Sequence, residues 1–376
     1  MTKPSFDRMA LSSAKRTTWI FGAGASCTSP YNLPAQKQML SYFMKRARPG
    51  NAAAQASLAD LRKRIEQLIK VVLPGAAPDT VILEDLFSAY ELRASHARST
   101  PEEAREAVEA LQSLRQALFI SVQEFGPGNL PKWLPYQRSG TPAPYAELLE
   151  RLYQRRASPE AIRSHTLVTM NYDINLDRCA LNMRASAAGA VDLDYGFELA
   201  NYRMPNDFVR PSDRSILLLR LHGSINWIRC LACQAVFTTI NRQANVDERQ
   251  TCLLCRSESA DRILVHPSYL RAYSDPILQI VWGRFQEELT SSERWVFIGY
   301  SLPDADVHLR DVLRHALHIR ERNGDPTEVV WAGYRSSTDD SWEPDRDRYH
   351  SMFGEALSPW NATGGGFADF VKALDS

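Results

Sequence analysis

Four of the six cysteines fall into two Cys-x-x-Cys pairs, Cys230 with Cys233 and Cys252 with Cys255, separated by 18 residues. Two such knuckles can supply four thiolates to one tetrahedral ion, and without a secretory leader the spacing favours a metal over disulfides. No His or carboxylate interrupts the set, so a zinc ion held there is closed to water and structural rather than catalytic. Four cysteines that bind nothing are the alternative. Cys27 and Cys179 remain as single thiols.

Four short segments could carry other chemistry. Gly22-Ala23-Gly24-Ala25-Ser26 puts glycines where the chain must turn tightly and where backbone can approach a pyrophosphate, with a following helix able to offer free amides. A turn that binds nothing uses the same glycines, and Ser26 can cap the helix or bond a phosphate oxygen. Thr169-Met170-Asn171-Tyr172-Asp173 follows an apolar run. There the Asn171 amide can hold a ribose hydroxyl or a water, or else Asn171 or Asp173 caps the next helix. Leu221-His222-Gly223-Ser224 places an imidazole, suited to general-base work near neutral pH, beside a glycine that lets a ligand come close. A satisfied turn histidine reads the same way. Gly299-Tyr300-Ser301 offers a further dinucleotide contact. Ser301-Leu302-Pro303-Asp304 then reads as N-cap, first-turn proline and acidic first turn of a helix carrying Leu309, Val312, Leu313 and Ala316.

These segments need elements to position them. The runs Thr17–Phe21, 167–170, 216–221, 295–298 and 328–332 are short, apolar and followed by polar or glycine-containing turns, as strands buried on both faces of a parallel sheet should be. An α/β fold follows: a Rossmann-like, mostly parallel sheet with helices on both faces, a helical insertion and a small zinc ribbon. The insertion spans 41–159, where Leu58, Leu61, Ile65, Leu68 and Val72 keep helical spacing, as do Val108, Leu111, Leu114, Leu118 and Val122. Thr100, Pro101 and Glu103 form a capping box at the start of the second of these helices. Gly126-Pro127-Gly128 and the Pro-rich stretch Pro131 to Pro144 read as loops. Residues 1–40 and 160–340 then make the nucleotide-binding domain, 228–258 the ribbon and 341–376 a C-terminal tail.

With 44 Lys and Arg against 44 Asp and Glu, the chain has no overall positive field to concentrate nucleic acid. No direct nucleic-acid contact is expected. The absence of a long apolar run argues against a membrane span, and the chain reads as cytoplasmic.

Taken in order, Gly-Ala-Gly-x-Ser, Thr-x-Asn-x-Asp, His-Gly, paired Cys-x-x-Cys and Gly-x-Ser resemble the sirtuin family from about Thr17 to Gly333. The sequence looks most like the sirtuin-like branch of bacterial antiphage-defence proteins, in which Asn-Tyr-Asp, Leu-His-Gly-Ser and Gly-Tyr-Ser-Leu-Pro are typical. By that resemblance Gly22, Ala23, Gly24 and Ser26 hold the phosphates of NAD, Asn171 and Asp173 the nicotinamide ribose, and Gly299 and Ser301 the adenosine side. His222 is then the base beside the reacting ribose, and Asn171 positions the attacking water.

Two departures bear on the acceptor. The Asp-Phe-Arg that deacetylase sirtuins carry after the glycine loop is missing from Cys27-Thr28-Ser29-Pro30-Tyr31-Asn32-Leu33-Pro34. The Phe-Gly-Glu that lines their acyl-lysine groove is also missing, and Val265-His266-Pro267-Ser268 stands near its place. Both leave water as the acceptor and imply an NAD glycohydrolase. Such an enzyme must be held inactive until triggered, and relatives of this kind act with a sensor, a HerA-type ATPase or a short Argonaute. With little chain after Gly333, a separate partner and a homo-oligomer are expected. The rival readings are an NAD-dependent deacylase or ADP-ribosyltransferase, a non-catalytic NAD or ADP-ribose sensor, and a structural zinc-ribbon interaction protein.

Overall fold

A computed structural model describes residues 15–374 apart from 29–30, 32, 34, 47–51, 97–99, 126–142, 154–157, 187–191, 204–209, 239–250, 271–272, 336–342 and 364–365. Strand β1 (Thr17–Phe21) runs into a short helix α1 (Ala23–Cys27). Among the described residues six α-helices then precede the next strand: α2 (Met39–Arg46), α3 (Ala52–Val72), α4 (Leu83–Ser95), α5 (Pro101–Phe125), α6 (Pro144–Leu152) and α7 (Pro159–Arg163). The capping box of α5 is present: Thr100 N–H donates to Glu103 and Glu103 N–H to Thr100 Oγ1. Of the loops expected here, 126–128 and most of the Pro-rich stretch lie outside the described residues, while Pro144 opens α6 at a position where its missing N–H costs nothing.

The rest of the chain supplies β2 (His165–Thr169), α8 (Asn175–Ser186), β3 (Leu193–Asp194), β4 (Ile216–Arg220), β5 (Gly223–Cys230), β6 (Val236–Thr238) and β7 (Ala260–Leu264). It continues through α9 (Pro276–Ser291), β8 (Arg294–Ile298), α10 (Val307–Asn323), β9 (Glu328–Arg335), α11 (Glu343–Phe353), β10 (Leu357–Thr363) and α12 (Gly366–Ala373). Seven strands form one sheet in the order β10-β9-β8-β1-β2-β4-β3, and every pairing in it is parallel. Setting the edge strand β3 aside, the chain winds outward from β1 to β2 and β4, then returns to the other side of β1 for β8, β9 and β10. This is the doubly wound order that places a ligand crevice at the carboxyl ends of the two strands where the winding reverses, here β1 and β8.

Period-two alternation along β1 sets what covers each face. Phe21 points to one side, where the rings of Tyr145 in α6 and Phe367 in α12 lie 5.5 and 6.0 Å away. Thr18 points to the other, bonding Ser292 at the end of α9, in register with Trp295, whose ring meets Phe353 of α11. Helices therefore cover both faces.

Two sequence expectations need correction. The stretch set apart as a tail, 341–376, contains α11, the edge strand β10 and α12, whose Phe367, Phe370 and Val371 are buried in the main core. Its strand was hard to read because Pro359 brings no N–H and is tolerated only at an edge such as this. Helix α10 starts at Val307 with Asp306 at its N-cap position, rather than at Ser301. Leu302 adopts φ +50°, and the Tyr300 hydroxyl donates to Asp306, so Ser301–Asp304 form a turn ahead of the helix.

Candidate active site

At the crevice the two turns interlock. Gly22 N–H donates to Ile298 O at 3.0 Å and Gly24 N–H to Gly299 O at 2.8 Å, so these amides tie the β1 turn to the β8 turn. Gly299 has φ +60°, and a Cβ there would lie 2.2 Å from the Ala25 nitrogen, which no side chain tolerates. The glycines thus serve first to bring two backbones together.

Asn171, just past β2, closes on the same turn. Its Nδ2 donates to Gly22 O at 2.9 Å and to Ser26 Oγ at 3.1 Å, and Ser26 Oγ also bonds the Tyr145 hydroxyl at 3.0 Å. A carbonyl oxygen only accepts, so the bond to Gly22 fixes the amide orientation and leaves Oδ1 as the atom Asn171 can present to the crevice. Asp173 Oδ1 accepts from Asn175 N–H at 3.0 Å, an Asx turn that leads into α8, and Asp173 is 7% exposed. Burial raises the Asp173 pKa, opposed by the Asn175 amide and by Arg220.

Ala23, Ser26, Met170, Asn171, Tyr172 and Asp173 line a cleft of about 380 Å³, counted to its open mouth. Its far wall is Leu33, Met39 of α2 and Val122 of α5. The cleft is therefore apolar on one side, polar at the strand ends, and closed in part by the helical insertion.

His222 lies on the strand-end side of the cleft, 5% exposed, with its ring centroid 6.0 Å from that of Tyr172. Its Nδ1 lies 3.1 Å from Met170 O, so the proton of the neutral ring is on Nδ1 and Nε2 accepts from the Tyr273 hydroxyl at 3.3 Å. Gly223 has φ +73°, and a Cβ on it would lie 2.2 Å from Ile263 O. The glycine expected to admit a ligand admits β7 instead.

Sequence reasoning missed Arg220. It is fully buried at the end of β4, paired with the equally buried Asp177 of α8, whose other oxygen accepts from Tyr195 at 2.8 Å. Its Nη2 donates to Asn171 O at 2.8 Å and Asp173 O at 2.5 Å, and its Nε to Gly223 O at 3.4 Å. One guanidinium therefore holds the backbones of both the Asn171 and His222 turns. The signal was a cation closing an otherwise apolar strand, since a buried charge requires a partner.

Beyond the sheet, β6-β5-β7 form a separate three-stranded antiparallel sheet bearing the cysteines. The four sulfurs lie within 4.8 Å of one another, with Cys230 and Cys255 3.5 Å apart and Cys233 and Cys252 3.6 Å. A tetrahedral zinc–thiolate site with bonds near 2.3 Å needs sulfurs roughly 3.8 Å apart. Gln234 and Arg256, each following the second cysteine of its pair, adopt φ +60° and +63°, so both knuckles turn alike. The cluster is compatible with a zinc ribbon.

The parallel, doubly wound sheet with helices on both faces defines a Rossmann-like α/β protein. The SIR2-like domain family matches residues 165–352, half of the 376 residues, and the chain belongs to that family, whose members are NAD-dependent enzymes. No curated protein matches. Among solved structures it is similar to a Sir2 enzyme, at 12% identity and TM-score 0.40 over 96% of this chain and 92% of that one. Sir2Tm bound to a propionylated peptide gives 13% and 0.40 over 95% and 90%. Sir2 with a p53 peptide and NAD+ gives 14% and 0.37 over 95% and 90%. Among the described residues no helix is long and apolar enough to cross a membrane.

Proposed function

We propose that this chain is an NAD glycohydrolase that releases nicotinamide and ADP-ribose. The observation that carries the choice of water as acceptor is the position of α4. Phe87 stacks on His266 with ring centroids 4.8 Å apart, Glu91 bonds His266 Nδ1 at 2.8 Å, and Ser88 Oγ accepts from Tyr269 N–H at 2.9 Å. The segment after the ribbon, where an acyl-lysine strand would need to pair, is covered by the chain's own helix.

On this reading Asn171 and Asp173 hold the nicotinamide ribose, Ala23 and Ser26 lie nearest the phosphates beside Gly22 and Gly24, and Gly299 and Ser301 lie toward the adenosine. The ribose–nicotinamide bond breaks with its electron pair passing to the pyridinium ring, leaving an oxocarbenium-like sugar. Water adds to that carbon, held by Asn171 Oδ1, and gives its proton to His222 Nε2, the ring nitrogen without one. The four cysteines hold a structural zinc that takes no part in these steps. The enzyme acts as an antiphage-defence effector, as a homo-oligomer in the cytoplasm, and is released by a separately encoded sensor, a HerA-type ATPase or else a short Argonaute.

Purified chain incubated with NAD, alone and with such an ATPase and DNA, should release nicotinamide and ADP-ribose, resolved by chromatography. His222→Ala and Asn171→Ala should abolish release. Binding of NAD with no turnover under any condition would replace this reading with a sensor.

A further inference from the structure

The base is covered in this structure. Both of its ring nitrogens are engaged, Nδ1 by Met170 O and Nε2 by the Tyr273 hydroxyl, and the residue is 5% exposed. Tyr273 is itself set between aromatic neighbours: its ring stacks on His308 with centroids 4.8 Å apart and meets Trp282 edge-on at 5.0 Å. Trp282 is anchored through Nε1 to Leu221 O at 3.0 Å, one residue before the histidine. A hydroxyl that donates to Nε2 occupies the one lone pair the neutral ring has for taking up a proton. The described chain therefore shows a base whose reactive atom is already in use.

Resting on the reading of His222 as base, we propose that Tyr273 is a positioning residue that caps His222 Nε2, and that turnover requires its hydroxyl to leave that nitrogen. While capped, the imidazole keeps the tautomer that catalysis needs and accepts no proton from water or ribose. Tyr273→Phe keeps the ring stack and removes only the hydroxyl, so it takes away this cap without opening the core.

The test reads Nε2 directly. The full chain and its Tyr273→Phe and Tyr273→Ala variants are treated with diethyl pyrocarbonate, and acylation is measured residue by residue by mass spectrometry, with exposed His315 as reference. Relative to His315, His222 should react roughly two- to ten-fold faster in Tyr273→Phe, the factor one net hydrogen bond contributes to an opening equilibrium, and faster again in Tyr273→Ala. Release of nicotinamide by the partner-free Phe variant should rise by a similar factor. Equal acylation of His222 in all three proteins overturns the cap. So does a loss of NAD cleavage in Tyr273→Phe with acylation unchanged, which would make the hydroxyl part of the chemistry. Faster acylation with no NAD cleavage in any protein leaves the cap standing and removes the glycohydrolase reading alone.

Discussion

Asp173 holds the turn that leads into α8 and is proposed to hold the nicotinamide ribose, and a single substitution can separate the two. In the Asx turn ahead of α8 it needs only an acceptor oxygen, which Asn supplies equally well. As a charge it is disfavoured by burial, which raises its folded pKa, so the charged form costs stability as pH rises above the ordinary value of 3.8. Asp173→Asn should therefore fold with unchanged or higher melting temperature at pH 7 while weakening NAD binding about tenfold or more, the loss of a charged hydrogen bond. A lowered melting temperature with unaltered NAD affinity, measured by calorimetry, would assign the residue to structure alone.

His165 shows the opposite sign. Burial first, and Arg294 second, lower its pKa from 6.5 to about 4, and its Nδ1 accepts from Trp19 Nε1 at 3.3 Å, a bond that a proton on Nδ1 destroys. The unfolded chain takes up this proton more readily, so stability is present above about pH 6.5 and is lost as pH falls toward 4. The loss should approach ~3 kcal/mol. Urea unfolding of His165→Gln across that range should show a flatter acid limb than the parent.

Among the elements, the end of β4 matters most to the site. Arg220 and Asp177 are a buried pair, and removing one partner strands the other. Arg220→Met should cost about 3–5 kcal/mol and release the Asn171 and Gly223 carbonyls that fix the two turns. Adding Asp177→Leu should recover much of that stability without recovering turnover, because an apolar pair cannot hold three backbone carbonyls. Recovery of activity in the double variant, measured as kcat against KM, would show that the guanidinium stabilises without positioning.

At the scale of the molecule, the crossover from β1 to β2 carries the helical insertion, and that insertion touches both the cleft and the ribbon. Val122 of α5 forms cleft wall, while Arg115 of the same helix pairs with Asp261 of β7 at 2.8 Å and Arg262 lies 4.2 Å over the Phe119 ring. The ribbon is thus built into the side of the catalytic unit. One zinc per chain is expected by elemental analysis. Cys233→Ser or a strong chelator should loosen the ribbon and lower the melting temperature, with NAD cleavage falling only as the fold does. Lost cleavage in a chain that keeps its melting temperature would contradict a structural metal.

The sequence by itself determined what depends on near neighbours. Apolar runs of four to six residues specified five strands of the sheet, since a strand buried on both faces must be apolar throughout. Paired Cys-x-x-Cys spacing specified the four-sulfur cluster, and the order of the motifs specified the family. Only the tertiary structure decided the rest, because each missing piece joins residues far apart in the chain. Arg220 meets Asp177 and the carbonyls of Asn171 and Asp173 across more than forty positions, Tyr273 reaches His222 across 51, and β10 joins the sheet from a segment whose proline hid it. Local spacing sets a strand and its turn. Which groups then share a buried space is fixed by how the sheet is wound, and no run of neighbouring residues records that.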